Sequence, residues 1–559
     1  MAPGRPECFF RSAPGLCRAM SMVNGNTRRE TPPRHSSCTP LRMWMLVASA
    51  LLSLVRVAQA QDETFSILHF AVQGNTVLPR AAVEGALYPF MGMRKSIADV
   101  ESARTALEQS YVKAGYHTVL VDIPEQEVTG GKVQLRVMEG RVERLRVSGS
   151  RYFSLGRIRE AVPSMAQGQV PHLPTLEKEL QAAGRQSADR QLTPVLKPGR
   201  TPGMLEAEIE VADRSPLHVD LEVNTRNAPL TSLIRTVASV RYDNLFQRFH
   251  SASLQMQNSP QAPDEVRVLA GTYALPVGAW RLVGYAVDVQ SEAAVAVATA
   301  LAVIGTGRIV GLRAVRPLAE GEGAVHTLSL GADRKSFEQN VVLFAADTLK
   351  SPVTYLPFQA RYDYLHRDVS GEQLRLALEG NISFRGVGND DSEFDDRRFR
   401  ARTNFAYLGA EADYSRPLLL GSRGRLRLQG QWSAAPLINN EQLVLGGVDT
   451  VRGFFEAEAL GDNGMVGSIE LRQKLPALAA WMDGMNMELL AFIDGGVTWI
   501  IDPLPEAPQQ IGLAGSGLGF RIDGPLGADL DFAWAWRLVS PDTSLGDRSR
   551  VHMTASYEF

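Results

Sequence analysis

From Pro216 to Phe559 the helical period disappears, and apolar and polar residues alternate in segments of about ten, the length of a membrane-crossing strand. Alternation with period two puts successive side chains on opposite faces of a strand. The last segment is the clearest. Val551, Met553, Ala555, Tyr557 and Phe559 share one face, and His552, Thr554, Ser556 and Glu558 share the other. Eleven such segments run near 217–227, 233–243, 249–258, 264–274, 279–290, 306–317, 325–335, 354–365, 373–385, 400–414 and 424–433, and five more near 466–474, 487–499, 512–522, 527–537 and 550–559. Sixteen is an even number, as bacterial single-chain barrels have. The pattern therefore predicts a transmembrane β-barrel, with one face to lipid and one to a wet lumen. A soluble β-sandwich would alternate similarly, but the terminal aromatic Phe559 favours the barrel.

With both barrel ends on one side of the membrane, connections after odd strands face outside. They include 336–353, the acidic stretch 386–399 and 434–465, and are mostly longer than those after even strands. The 386–399 stretch lacks calcium-loop spacing and is read as a solvated, lipopolysaccharide-facing loop. In the strand 487–499, Met487, Leu489, Ala491, Ile493 and Val497 are expected to face lipid, with Glu488, Phe492 and Asp494 inward.

Ahead of the barrel the pattern is mixed. Phe65–Val72 alternates as a strand, Pro79–Leu87 reads as a short helix, and Ser96 to Asp99 has capping-box spacing. The helix it opens carries Ile97, Val100, Ala103, Leu107, Tyr111 and Ala114 on one face and stops at Gly115. His117–Ile123 and Lys132–Met138 follow as a hairpin. Residues 140–214 repeat the plan: strand Arg141–Val147, helices Leu155–Val162 and Leu176–Ala188, strands Leu192–Leu196 and Leu205–Val211. A β-α-α-β-β order recurring within one chain is an internal repeat. Two generic α/β spacers are the plainer alternative.

Composition narrows the class. The net charge of −3 gives no argument for nucleic acid. Arg42, the apolar run Met43–Val55 and Ala58-Gln59-Ala60 read as a secretory signal cleaved after Ala60, with an uncleaved anchor as the alternative. Residues 1–60 are thus N-terminal extension and signal peptide. Cys8, Cys17 and Cys38 all precede that site, so no disulfide, thiolate metal site or cysteine nucleophile is expected in the mature chain. Neither H-E-x-x-H, G-x-S-x-G nor a phosphate-loop motif occurs. No enzyme activity, catalytic residue, metal or cofactor is expected.

Two stretches stand out. Val451-Arg452-Gly453-Phe454 puts an arginine among apolar residues inside a Gly-rich connection, and Phe492-Ile493-Asp494-Gly495-Gly496 puts a carboxylate into an apolar strand. Taken singly, Arg452 could be solvated and Asp494 could face pore water. Taken together, they suit a bidentate arginine–carboxylate pair formed by folding the loop down the lumen.

Residues 61–139 and 140–215 resemble polypeptide-transport-associated (POTRA) domains, most closely in Asp189-Arg190-Gln191-Leu192-Thr193-Pro194-Val195-Leu196-Lys197-Pro198-Gly199. With the barrel over 216–559, the ordered set resembles the outer-membrane transporters of two-partner secretion, the haemolysin secretion/activation and filamentous-haemagglutinin transporter family. The resemblance implies that Val451, Arg452, Gly453 and Phe454 form an inward lid-loop motif and that Phe492, Asp494 and Gly496 are its barrel-wall partner. It also implies a Gram-negative outer-membrane location, POTRA domains in the periplasm, and function as a monomer amid lipid and lipopolysaccharide. The partner would be a large secreted β-helical exoprotein, bound unfolded and passed through the pore. An insertase of the same superfamily and a passive porin are the alternatives. The family's pore-plugging N-terminal helix has no counterpart in the short Gln61-Asp62-Glu63 lead, so the loop alone is expected to close the pore.

Overall fold

The computed structural model describes residues 64–559 except 292–293, 298–300, 322, 344–346, 477–484, 506 and 543. The signal segment, the three cysteines and the lead 61–63 lie outside the described residues.

The first module runs β1 (Phe65–Ile67), β2 (His69–Gln73), α1 (Arg80–Leu87), β3 (Gly92–Lys95), α2 (Ile97–Lys113), β4 (Val119–Asp122) and β5 (Lys132–Glu139). Central β5 lies parallel to β2 and antiparallel to β4. The expected strand 65–72 is split at Leu68, where the N–H groups of Leu68 and His69 both donate to the Gly131 carbonyl (2.8 and 3.1 Å); β1 then pairs with β3. Helix α2 starts at a genuine cap. The Asp99 carboxylate accepts the Ser96 backbone N–H at 2.8 Å and its hydroxyl at 3.0 Å. Those bonds, the backbone one first, hold the Asp99 carboxyl below its ordinary range. Val100, Ala103, Leu107 and Tyr111 recur at helical spacing and are buried on the sheet. Ile97, expected beside them, is 70% exposed. At the first helical position its side chain leans back past the helix end and misses the sheet.

The second module repeats this topology with β6 (Arg141–Ser148), α3 (Leu155–Glu160), α4 (Leu173–Gln186), β7 (Arg190–Pro198) and β8 (Met204–Asp213), in the sheet order β6-β8-β7. Pro174 sits in the first turn of α4, where its missing N–H costs nothing, so the helix begins earlier than the expected Leu176.

The wall of the barrel begins with β9 (Leu217–Asn224), β10 (Arg235–Leu245), β11 (His250–Asn258), β12 (Val266–Val277) and β13 (Trp280–Ser291). A separate antiparallel pair, β14 (Ala294–Val297) and β15 (Leu301–Ile304), leads to β16 (Thr306–Gly321) and β17 (Ala324–Leu343). The chain returns as β18 (Asp347–Tyr355) and β19 (Phe358–Arg367), both paired to β17, so they count as one wall strand. The break falls at Leu356-Pro357, because proline has no N–H for the ladder. The described residues of 336–353 therefore pair as strands, from Ser336 opposite Thr354 to Leu343 opposite Asp347, rather than forming the expected loop. Then come β20 (Gln373–Ile382), α5 (Asp391–Arg397), β21 (Ala406–Pro417) and β22 (Ser422–Ser433). The small strands β23 (Leu443–Leu445) and β24 (Ala459–Gly461) belong to the next loop. The wall finishes with β25 (Asn463–Lys474), β26 (Asn486–Trp499), β27 (Gln510–Asp523), β28 (Ala528–Val539) and β29 (Ser549–Glu558), which closes on β9. Sixteen antiparallel wall strands result, as expected.

Alternation sets the two faces. Ile469 on β25 stands opposite Ile493 on β26, and both point outward, 60% and 50% exposed. Phe492 and Asp494 point inward and are buried.

The acidic stretch 386–399 is largely exposed, as expected, but part of it is a helix, α5, rather than a loop. Asp390 caps the helix by accepting the Ser392 N–H at 2.9 Å, and Glu393 accepts the Thr354 N–H at 2.8 Å. Phe394 is fully buried, edge-on to Tyr355 at 5.5 Å, in an apolar cluster with Phe337, Phe405, Leu437 and Ile438.

Candidate functional site

The chain between β22 and β25 folds back against the inner wall. Its stem is the β23–β24 pair, in register from Leu443 opposite Gly461 to Leu445 opposite Ala459. At the tip the Gly447 N–H donates to the Val451 carbonyl at 3.2 Å. Arg452 then points into the wall. Its Nε and Nη2 donate to the two oxygens of Asp494, each at 2.7 Å, and its backbone N–H reaches Asp494 Oδ2 at 3.1 Å. Nη1 lies 2.9 Å from Glu470 Oε1, and Nη2 donates to Ser468 Oγ at 3.1 Å. Its Cζ stacks 3.5 Å from the centre of the Phe492 ring.

The wall register explains the convergence. Inward positions recur every second residue, so Ser468 and Glu470 of β25 lie across the ladder from Asp494 and Phe492 of β26. Arg472 shares Glu470 at 2.8 Å, which balances two cations against two carboxylates. That neutrality reduces the cost of burying Arg452 and Asp494, which are 5% and 1% exposed. Two glycines make room. A Cβ at Gly515 would stand 2.1 Å from the Arg452 carbonyl oxygen, and one at Gly517 would stand 2.4 Å from the Phe492 ring.

The other expected residues join the same site. Gly453 has φ +98°, a conformation that favours glycine. Its N–H donates to His552 Nε2 at 3.0 Å, and its carbonyl accepts Arg537 Nε at 2.8 Å. Val451 and Phe454 are fully buried with Leu445, Ala459, Val466 and Leu513. A Cβ at Gly496 would press on the Leu445 side chain at 3.0 Å.

Several anchors escaped the sequence reading: Ser468, Glu470, Arg537 and His552 at the tip, and two more at the root. Arg398 grips Asp462 with two bonds of 2.7 Å, while Leu437 and Ile501 donate their N–H groups to the same carboxylate at 2.8 and 2.7 Å. Glu441, also buried, accepts from Lys335 Nζ (2.6 Å), Tyr355 (2.6 Å) and Tyr407 (2.8 Å). Ser468, Glu470, Arg537 and His552 stand on wall strands, where an inward polar side chain is ordinary, and Arg398, Glu441 and Asp462 lie in connections outside the wall strands, where charge is ordinary too. Asp449 and Arg452 line a lumenal cavity of about 710 Å³ whose wall is rich in charge, including Arg425, Arg427, Arg521 and Asp531.

A closed sixteen-strand barrel, two repeated α/β modules and a loop seated in the lumen define an outer-membrane transporter. The chain belongs to the haemolysin secretion/activation protein family ShlB/FhaC/HecB, whose model matches residues 206–522; a ShlB-type POTRA domain matches 65–140. It is 23% identical over 510 residues to the outer membrane transporter CdiB of Dickeya dadantii (strain 3937), covering 85% of this chain and 84% of that one. Its fold resembles that of CdiB from Escherichia coli, with TM-score 0.61 at 20% identity over 90% of this chain and 92% of the other. BamA from Haemophilus ducreyi lacking POTRA domains 1–3 shares the fold at TM-score 0.54 and 12% identity, over 89% of this chain and 100% of that one. The family comprises outer-membrane transporters of two-partner secretion, which work with a secreted exoprotein partner.

Proposed function

We propose that the protein binds one exoprotein in unfolded form at its POTRA modules, on the periplasmic side, and passes it through the lumen to the cell surface as a monomer. Transport, with no catalytic reaction, is the function assigned. Folding of the passenger outside supplies the pull. The observation that carries this reading is the seat of the lid loop. It is held in the lumen by a neutral ion cluster of Arg452, Arg472, Asp494 and Glu470. Ion pairs of this kind can be exchanged for contacts with a polar chain passing a charged wall, and can re-form behind it. A passive porin has no need of such a seat. An insertase of this fold would act on many outer-membrane proteins.

The test is deletion of the gene in its own host, followed by comparison of culture medium and outer membrane. One large exoprotein should vanish from the medium while the outer-membrane protein profile stays unchanged. Full-length protein should restore it, and a form lacking residues 65–139 should not. A broad loss of outer-membrane proteins would instead establish the insertase.

A further inference from the structure

The Asp189-Arg190 pair at the start of β7 lies where the second module meets the barrel. Arg190 is 5% exposed, and its guanidinium stacks between Phe153 of the module and Phe249 of the β10–β11 turn, 5.3 and 4.7 Å from the ring centres. That turn holds Phe246, Gln247 and Phe249 at φ of 59°, 57° and 58°, strain that marks a backbone fixed by its surroundings. Gln247 accepts the Ser154 N–H at 2.9 Å and donates to the Tyr152 carbonyl at 3.1 Å.

Beside it, His218 of β9 is 4% exposed. Its Nε2 is 3.1 Å from Asp189 Oδ2 of the module and 3.6 Å from Asp243 Oδ2 of β10. Its Nδ1 is 3.1 Å from Glu558 Oε1 of β29. Ionised carboxylates only accept, and a neutral imidazole has a single N–H. Both ring nitrogens can donate only in the imidazolium form. The surrounding charges agree. Arg214 pairs with Asp189 at 2.7 Å and Arg241 with Asp243 at 2.9 Å. An imidazolium is the third cation facing three carboxylates. Asp220, two residues along β9, is held by the Ser239 hydroxyl at 2.9 Å, and the Ser251 hydroxyl donates to Asp243 at 2.6 Å.

We infer that His218, as an imidazolium, is a positioning residue that fixes the second POTRA module to both ends of the barrel wall at once. The place is significant because β29 and β9 share only five register pairs, Thr554–Glu558 with Asp220–Asn224, whereas β9 and β10 share eight. One ring therefore ties the module to the first and last strands where the wall is most weakly joined. Removing it breaks both bonds and frees the module to tilt against the lumen entrance.

The experiment uses full-length protein in lipid vesicles, with Cys8, Cys17 and Cys38 replaced and spin labels at Arg159→Cys and Ser370→Cys. Wild type should give one narrow inter-label distance. His218→Ala, which removes both ring bonds, should give a broad distribution, with heat-modifiable gel mobility showing a folded barrel. Glu558→Ala, which removes only the Nδ1 partner, should broaden the distribution less, and it serves if His218→Ala fails to assemble. A broad distribution in wild type, or a narrow one in His218→Ala, overturns the assignment.

Discussion

Arg452 makes four kinds of contact at once: two bonds to one carboxylate, a second ion pair, a hydroxyl bond and a stacked ring. Removing either partner of such a pair strands the other charge away from water, at a typical cost of about 3–5 kcal/mol. Arg452→Ala and Asp494→Ala should each abolish most secretion of the partner while the barrel still assembles, as judged by gel mobility. The double variant should be little worse than either single one. Losses that simply add would show that the two do not act as a pair. Arg452 and Asp494 could be read from the sequence because each breaks an apolar run. Glu470 and His552 could not, because a polar side chain at an inward position of a barrel strand is ordinary, and only the folded loop shows which of them it meets.

Among the elements, α5 was the least legible. Asp390, Asp391, Glu393, Asp395 and Asp396 look like a solvated run, yet an N-cap aspartate followed by acidic residues in the first turn is also how a helix starts. The deciding residue was Phe394, a single aromatic whose burial depends on residues far along the chain. The break at Pro357 was equally local in cause, and the alternation on either side of it hid that β18 and β19 continue one strand. Most wall strands were legible because a half-buried strand must alternate, whichever medium it faces. The structure makes Arg398–Asp462 the strap between α5 and the root of the lid loop. Cysteine at Phe394 should therefore resist a membrane-impermeant maleimide on intact cells. Adding Arg398→Ala should bring rapid labelling, with Arg452 and Asp494 untouched. Equal labelling in both backgrounds would mean that α5 is held by its apolar contacts alone.

At the scale of the whole molecule, two obstructions stand in series within one wall. A sixteen-strand barrel is wide enough to hold an aqueous channel, so closure must come from what fills it. One obstruction is the lid loop, tied by Arg452 to β26 and by Gly453 to β29. The other is the apolar cluster of Phe394, Phe405, Leu437 and Ile438 with inward residues of β12, β13, β17 and β18, which joins α5 to the loop's root. Ion pairs can exchange partners without exposing apolar surface, whereas opening the cluster exposes several aromatic and aliphatic side chains at about 25 cal/mol per Å². The loop tip should thus move more readily than the cluster. In planar bilayers the intact protein should show small, flickering conductance from movements of the tip. Deleting residues 448–458 should raise the conductance and make it steady, since the tip is removed and the root anchors at Glu441 and Asp462 remain. Deleting 387–397 alone should add less, because the tip would still occupy the lumen; both deletions together should give the largest pore. If removal of 387–397 alone opened the channel fully, the aromatic cluster rather than the Arg452 seat would be the gate, and the passenger would have to displace it first.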